Sequence, residues 1–156
     1  MYKNDSPDAE VVELGPTLGF MQVLWALVHG LDARSKRMAS ELGVTGPQRL
    51  VLRILGVRPK ISAGALAETL RLHPSSLTGV LRRLEKRGLI VRRPDPNDAR
   101  RALLSLARAG TSLNSKRAGT AEAAVARALA RLGERDLAVA QRVIEAVIEE
   151  LEREDA

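Results

Sequence analysis

Cysteine is missing from this sequence of 156 residues. Its absence excludes disulfide bonds, thiolate metal sites, thiol nucleophiles and redox sensing through a thiol. Aromatic residues are scarce, with one Trp, one Tyr and one Phe, whereas Ala, Leu, Val, Arg and Glu fill many positions. Because this mixture favours helices over sheets, we expect a mainly α protein.

A long hydrophobic run is also missing. The longest apolar segment, residues 20–28, is interrupted by Gln22 and is far too short to span a membrane. Residues 1–14 are mostly polar and acidic, and we expect them to form a flexible tail. We also expect a soluble, cytoplasmic protein without a membrane partner, whose residues 15–156 form a single domain.

No pattern in the sequence is typical of enzyme chemistry. A Ser-His-Asp constellation, a glycine-rich phosphate loop and paired histidines are all absent, so we expect no enzyme activity and no cofactor. His29 and Asp32 have a spacing that can begin a metal site, but no further His or Cys lies nearby in the sequence. We therefore expect no metal.

Positive charge is present in excess and is concentrated in one segment. The net charge is +6, and residues 71–101 contain nine basic and three acidic residues, so the rest of the chain is neutral overall. Such a concentration favours binding to a polyanion, because each neutralised phosphate releases condensed counterions. A solvated charged face is the alternative interpretation.

Long helices are predicted on both sides of this segment. Gly15 and Pro16 lead into a helix that ends near Leu42. Its first half has apolar residues on every side, which predicts a partner subunit as its cover. Two more helices are predicted over residues 108–132 and 134–153. The apolar stripe of the last one fits ordinary packing as well as a dimer seam.

Three shorter helices are predicted between these flanks. A capping box at residues 45–48 predicts a helix over residues 47–55. Ser62 is placed to cap a helix over residues 63–70, and a helix over residues 74–88 begins with a proline. The last two helices, joined by a tight turn, form a helix-turn-helix.

A basic hairpin follows the helix-turn-helix. Strands are predicted at residues 89–93 and 102–106, around a loop rich in turn-forming residues. A helix-turn-helix followed by such a hairpin is a winged helix. We therefore expect a mainly α fold with minor α+β character, in which residues 45–106 form a DNA-binding head between dimerisation helices.

One side of the fourth predicted helix is polar and faces away from the core. Its residues form the first part of the predicted DNA-contacting set: Ser75, Ser76, Thr78, Gly79, Arg82, Arg83 and Lys86. Small hydroxyls let the backbone approach the major groove closely, and the later basic residues can reach guanine or phosphate. Alternatively, the hydroxyl residues are simply good first-turn residues.

The predicted hairpin supplies the second part of that set: Arg92, Arg93, Asp98, Arg100 and Arg101. An arginine near a loop tip can enter the narrow minor groove, and a nearby carboxylate can hold its guanidinium in position. An Asp-x-Arg pattern is a weak signal by itself. After a recognition-type helix it is much more specific.

Several short motifs run through the chain. They are Leu42-Gly43-Val44-Thr45-Gly46-Pro47-Gln48, Leu52, Leu55, Leu66-Ala67, Leu77-Thr78, Leu84-Glu85-Lys86-Arg87-Gly88-Leu89-Ile90, Asp98-Ala99-Arg100, Leu106 and Gly110. In these residues the chain resembles the multiple-antibiotic-resistance-regulator (MarR) family of winged-helix transcription regulators, over residues 18–151. The family usually has Leu-Thr before the helix that follows the wing. This chain has Leu106-Ala107, so that helix could start later, at Thr111.

The resemblance implies a homodimer, built from the first and last helices, that binds a pseudo-palindromic site in double-stranded DNA. Recognition helices would enter the major grooves and wings the minor grooves, with Arg100 as the minor-groove residue and Asp98 as its brace. It also implies a repressor that leaves its operator when a small, often phenolic anion binds near the junction of dimerisation helices and head.

Trp25 and His29, one turn apart on the first helix, are the candidate effector-binding residues. A core Trp and an interface His explain them as well. His73, before the recognition helix, suits a cap or a phosphate contact. The alternative function is a winged-helix protein-interaction or architectural module without an inducer. For a protein-interaction module we expect no binding to random duplex DNA even at low salt, whereas an architectural role would leave the same DNA-contacting residues.

Overall fold

Seven helices and one small antiparallel sheet make up residues 12–153, the part of the chain that the computed structural model describes. The elements are α1 Pro16–Leu42, α2 Gly46–Val57, β1 Ile61–Ser62, α3 Ala63–Leu70, α4 Pro74–Lys86, β2 Ile90–Asp95, β3 Asp98–Leu106, α5 Arg108–Ser115, α6 Ala121–Leu129 and α7 Glu134–Glu152. The expected mainly α winged-helix fold is confirmed. The predicted tail, residues 1–14, lies outside the described residues except for its last three.

The three helix starts predicted for the head are confirmed by their hydrogen bonds. The Thr45 hydroxyl accepts from the backbone N–H of Gln48, and the Gln48 side chain accepts from the backbone N–H of Thr45. Ser62 accepts from the N–H of Ala65 at the start of α3. His73 caps α4 through its ring Nδ1. Each cap satisfies backbone donors that a helix start leaves unpaired.

The sheet has the strand order β1-β3-β2, with both pairings antiparallel. β2 and β3 are longer than predicted, so only Pro96 and Asn97 remain as the turn of the hairpin. β1 was not predicted, because a strand of two residues is too short to show an alternating pattern. It pairs Ile61 with Leu104 and so fixes the base of the hairpin to the head.

One hydrophobic core holds the head together, and all of its helices and strands contribute to it. Its buried members are Val44, Val51, Leu52, Leu55, Ile61, Leu66, Ala67, Leu77, Leu81, Leu84, Leu89, Ile90, Leu104 and Leu113. Leu77, Leu81 and Leu84 are buried and lie on the side of α4 opposite to its polar residues. The opposite side of α4 therefore faces outward, as its polar residues require.

The single helix predicted over residues 108–132 is wrong, because the chain forms α5 and α6 with a break between them. Helical geometry ends at Lys116, whose ψ is 131°, and Gly119 further along the break has a φ of 76°, a left-handed conformation that favours glycine. Thr120 then caps α6 by accepting from the N–H of Ala123. The predicted start at residue 108 is confirmed, since α5 begins at Arg108, and the alternative start at Thr111 does not occur.

Gly110 allows α5 to pack directly against the backbone where the hairpin begins. A Cβ atom at this position would overlap the carbonyl oxygen of Leu89. That carbonyl already accepts a hydrogen bond of 3.0 Å from the N–H of Ala107, just before α5. The start of α5 is therefore fixed by backbone packing, and no side-chain cap is needed there.

The flanking helices expose much of their apolar surface. On α1, Leu18, Trp25 and Val28 are 57%, 58% and 52% exposed, respectively. No residue of α7 is buried, although Leu137, Val147 and Ile148 of its apolar stripe are half-buried. Among residues 12–153, no helix is both long enough and apolar enough to cross a bilayer.

We predict that Gly110→Ala destabilises the protein by about 1–3 kcal/mol, because the added methyl group has to push α5 away from the Leu89 carbonyl. Gly64→Ala is the matched control, since open space surrounds Gly64 at the start of α3. Urea unfolding measures both variants. Equal stability of Gly110→Ala and the wild type would contradict the close packing.

Candidate nucleic-acid interface and adjoining pocket

The predicted contact residues of α4 lie at the protein surface. All of them except Gly79 are exposed, and Gly79 is half-buried with open space at the position of a Cβ. Two of the hydroxyl groups have local partners, because the Ser75 Oγ lies 2.7 Å from His73 Nδ1 and Thr78 donates to the carbonyl of Pro74. The hydroxyl residues thus stabilise the first turns of α4 and also face solvent.

The hairpin carries its predicted residues along both strands. The sequence suggested that Asp98 holds the guanidinium of Arg100. In the structure its Oδ1 instead accepts from the backbone N–H of Arg100 at 3.0 Å. Asp95 Oδ1 accepts from the N–H of Asn97 at 2.9 Å in the same way. Both carboxylates therefore stabilise the tip of the hairpin and leave the Arg100 side chain exposed.

The nine basic residues of the segment 71–101 fall into two groups. Four have a polar partner: Arg71 pairs with Glu145, Arg92 with Glu85 and Arg101 with Asp95, and Arg87 donates to the Gly43 carbonyl. The other five have no ion pair and no side-chain hydrogen bond within residues 12–153: Arg82, Arg83, Lys86, Arg93 and Arg100. These five are the cations available to a polyanion.

A pocket of about 750 Å³ lies between α1, α2 and α6. Its wall is mainly apolar, with Leu31, Leu50, Leu72, Val125 and Leu129 among the lining residues. Asp32, Arg49, Arg53 and Glu122 supply charged groups to the same pocket. An apolar cavity with a few polar groups at one side is typical of a small-molecule site.

The structure does not place Trp25 and His29 in this pocket. Both side chains are exposed on α1, and neither is among the lining residues. Helical periodicity puts them on α1 but cannot tell which face of α1 meets α2 and α6. His29 and Asp32 also belong to no cluster of three or more His, Asp or Glu side chains within the described residues.

Arg49 in the pocket wall is only 1% exposed, and the sequence analysis did not predict a role for it. Its guanidinium donates to the carbonyls of Leu113 at 2.7 Å and Lys116 at 2.6 Å, and its Nε to Glu122 at 2.8 Å. One buried side chain of α2 thereby joins the end of α5 to the start of α6. The available signal was its position three residues before the core residue Leu52, on the inward side of α2.

The carboxylate of Glu122 is held in its ionised form. Burial alone raises the pKa of this carboxyl, but hydrogen bonds from Arg49, its own backbone and Thr120, with the Arg49 charge, lower it below the ordinary value of 4.5. For Arg53, burial and the positive charges of Arg117 and Arg49 lower the pKa. Arg53 donates to Asn114 Oδ1 at 2.9 Å and is 3.7 Å from Glu122.

Comparison with known proteins identifies the family. Residues 44–102 match the model of the MarR family. A helix-turn-helix-type transcriptional repressor of Mycobacterium tuberculosis is 34% identical over 93 residues, which make up 60% of this chain and 67% of that protein. The chain belongs to the MarR family. The predicted resemblance is thus confirmed, and the matched residues contain the recognition helix and most of the wing.

A second relative of this MarR protein shares a similar length of sequence with it. The organic hydroperoxide resistance transcriptional regulator of Bacillus subtilis is 32% identical over 94 residues, 60% of this chain and 64% of that regulator. The chain therefore spans slightly less than two thirds of the Bacillus protein.

Solved structures extend the likeness over most of the MarR chain. The PcaV transcriptional regulator of Streptomyces coelicolor, solved with its natural ligand, has a TM-score of 0.71 at 26% identity, covering 91% of this chain and all of that one. MepR of S. aureus, solved with DNA, has a TM-score of 0.70 at 18% identity, covering 88% and 99%. The likeness to MepR concerns the fold alone.

We predict that Arg49→Met lowers the free energy of unfolding by about 3–5 kcal/mol, because it leaves Glu122 and the carbonyls of Leu113 and Lys116 without their donor. Arg53→Met, the matched control at a half-exposed position, should cost about 1 kcal/mol. Urea unfolding at one fixed protein concentration measures both losses. Equal losses in the two variants would contradict the role of Arg49.

The ion pair between Arg49 and Glu122 also makes the stability of the protein depend on pH. Because the pKa of Glu122 is lowered in the folded state, its contribution is complete above its ordinary value of 4.5 and is lost as the pH falls through the lower, folded value. The advantage of the wild type over Glu122→Gln should therefore shrink on acidification below about 4.5. A constant advantage across that range would contradict the assignment.

Proposed function

We propose that this protein is a sequence-specific DNA-binding transcription regulator that acts as a homodimeric repressor. The observation that carries the proposal is that α4 and the wing of a MarR-type head together carry five basic side chains, Arg82, Arg83, Lys86, Arg93 and Arg100, without an ion pair within residues 12–153. Two similar proteins are named as transcriptional regulator or repressor, which supports the same conclusion. The predicted absence of enzyme activity and the predicted cytoplasmic location stay predictions.

In the proposed complex, α4 enters the major groove. Its first turns carry small side chains, which let the helix backbone come close to base edges. These residues are Ser75, Ser76, Thr78 and Gly79. Arg82, Arg83 and Lys86 lie one to two turns later and reach guanine or phosphate. Since Gly79 has open space around the position of a Cβ, only the DNA would limit the size of its side chain.

The wing reaches the neighbouring minor groove. Arg100 lies close to the two-residue turn, and the hydrogen bond from its N–H to Asp98 fixes the backbone from which it projects. Arginine suits this groove, because a narrow minor groove concentrates negative potential. Asp98 thus acts on the turn, and Arg100 is the DNA-contacting residue. Arg93 supplies a further positive charge to the phosphates.

A second copy of the chain covers the exposed apolar surface of α1 and α7 in this proposal. Leu18, Trp25 and Val28 on α1 would otherwise remain in water. Contiguous apolar surface of this kind is typical of an interface. Two heads held by one interface can bind two half-sites of a pseudo-palindrome in successive major grooves.

The pocket beside α2 is the proposed effector site. Its apolar wall and the half-exposed Arg53 suit a small apolar or aromatic anion, and the similar PcaV regulator was solved with its natural ligand. An anion near Arg49 and Arg53 competes with Glu122 for their positive charge. If it prefers another orientation of α2 relative to α6, it lowers DNA affinity by its difference in binding free energy between the two states.

We predict that Arg100→Ala weakens binding to a selected DNA site by about tenfold or more, because the variant cannot reach into the minor groove while fold and dimer persist. The DNA is a site that the wild type selects from random duplexes, and affinity is measured by gel-shift titration. Arg127→Ala on α6 is the control with the same change of charge. Equal affinity of Arg100→Ala and the wild type would remove the wing from the interface.

We predict that hydroxybenzoate raises the melting temperature and lowers affinity for the selected DNA, because an aromatic carboxylate fits the pocket and its cations. Arg53→Gln should remove most of both effects, whereas neutral phenol should produce little of either. Thermal unfolding and gel-shift titration with each compound measure them. Equal effects of phenol and hydroxybenzoate would contradict anion recognition by Arg53.

A further inference from the structure

Arg92, at the base of the wing, forms a two-point contact with the recognition helix. Its Nε lies 2.8 Å from Oε1 of Glu85 and its Nη2 lies 3.4 Å from Oε2. The planar guanidinium therefore meets both carboxylate oxygens, an arrangement that fixes orientation as well as distance. The hydrogen bond to Glu85 is also the main reason why the pKa of Arg92 is raised.

The backbones of both partners lie beside buried residues. Glu85 follows the core residue Leu84 in the last turn of α4. Arg92 pairs across the sheet with the core residue Leu104, and strand alternation puts its side chain on the same face of β2 as buried Ile90. The core thus places both backbones so that the two side chains, 43% and 31% exposed, meet across the junction of helix and wing.

The segment between Glu85 and Arg92 contains the turn that joins helix to wing. Gly88 in this turn has a φ of 64°, a left-handed conformation. The ion pair crosses the turn and connects its two sides. Arg93, the next residue, points to the opposite face of β2 and has no ion pair or side-chain hydrogen bond within residues 12–153.

We propose that the Glu85–Arg92 pair is a strut that sets the angle between the recognition helix and the wing. Arg92 is then a positioning residue and does not contact DNA, in contrast to the prediction from the sequence. The strut fixes the distance between the major-groove residues of α4 and Arg100, and so selects DNA whose groove geometry matches that distance. The inference rests on the proposed function, since the strut matters only if helix and wing bind one DNA molecule.

A charge exchange tests the strut. Arg92→Glu and Glu85→Arg each place two like charges together, and each should lower the ratio of affinities for the selected site and for random duplex by about tenfold. The double variant Glu85→Arg with Arg92→Glu restores an opposite pair and should return that ratio to within about threefold of the wild type. If Arg92 contacts DNA, the double variant keeps a carboxylate at the phosphates, and a ratio as low as in Arg92→Glu overturns the proposal.

Salt dependence separates a strut from a phosphate contact. Removing one cation that neutralises a phosphate lowers the slope of log affinity against log salt concentration by about 0.9. Arg92→Gln should keep the wild-type slope with random duplex, whereas the neighbouring Arg93→Gln should reduce it. A reduction in Arg92→Gln equal to that in Arg93→Gln overturns the strut.

A measurement without DNA completes the test. In Arg92→Gln, loss of the strut should raise the rate of amide hydrogen exchange in residues 91–95 and 98–102 of the hairpin. In the double variant Glu85→Arg with Arg92→Glu, that rate should return to the wild-type value. Unchanged exchange overturns the strut. If the wild type selects no site and ignores random duplex at low salt, the proposed function fails instead, and the exchange rates still report whether the pair holds the wing.

Discussion

The buried guanidinium of Arg49 constrains how the head meets the C-terminal flank. It belongs to α2, whereas its acceptors are carbonyls at the end of α5 and the Glu122 carboxylate at the start of α6. A buried arginine is tolerated only when its N–H groups find acceptors, so the three segments have to keep their relative positions. The position of the start of α6 relative to α2 and α5 is therefore fixed by this network.

The same network forms part of the wall of the pocket. Arg49 and Glu122 line the cavity, and residues of α2 such as Leu52 and Leu55 pack in one core with Leu77 and Leu81 of α4. Helix α2 therefore contributes both to the pocket wall and to the core that holds α4. In the proposed function, the apolar wall would supply binding energy for a ligand, and the exposed part of Arg53 would favour an anion.

Charge in the DNA-binding segment is used in two ways. Five of the nine basic side chains in residues 71–101 have no ion pair and no side-chain hydrogen bond within residues 12–153, and we assign their positive charge to the phosphates and the grooves. Four others are engaged with carboxylates or a carbonyl, and these bonds position the wing, the turns and the ends of the helices. A count of basic residues alone overstates the number of DNA contacts, because it cannot tell a paired arginine from a free one.

The sequence by itself determined the helices of the head. The capping box at Thr45, the Ser62 cap and the spacing of leucines in α4 are local signals, and local signals decide where helices start and which side faces inward. Only the tertiary structure decided the break at Gly119, the burial of Arg49, the pairing of Glu85 with Arg92 and the location of the pocket away from Trp25. Each of these depends on which segments meet in space, and neither helix propensity nor residue spacing carries that information.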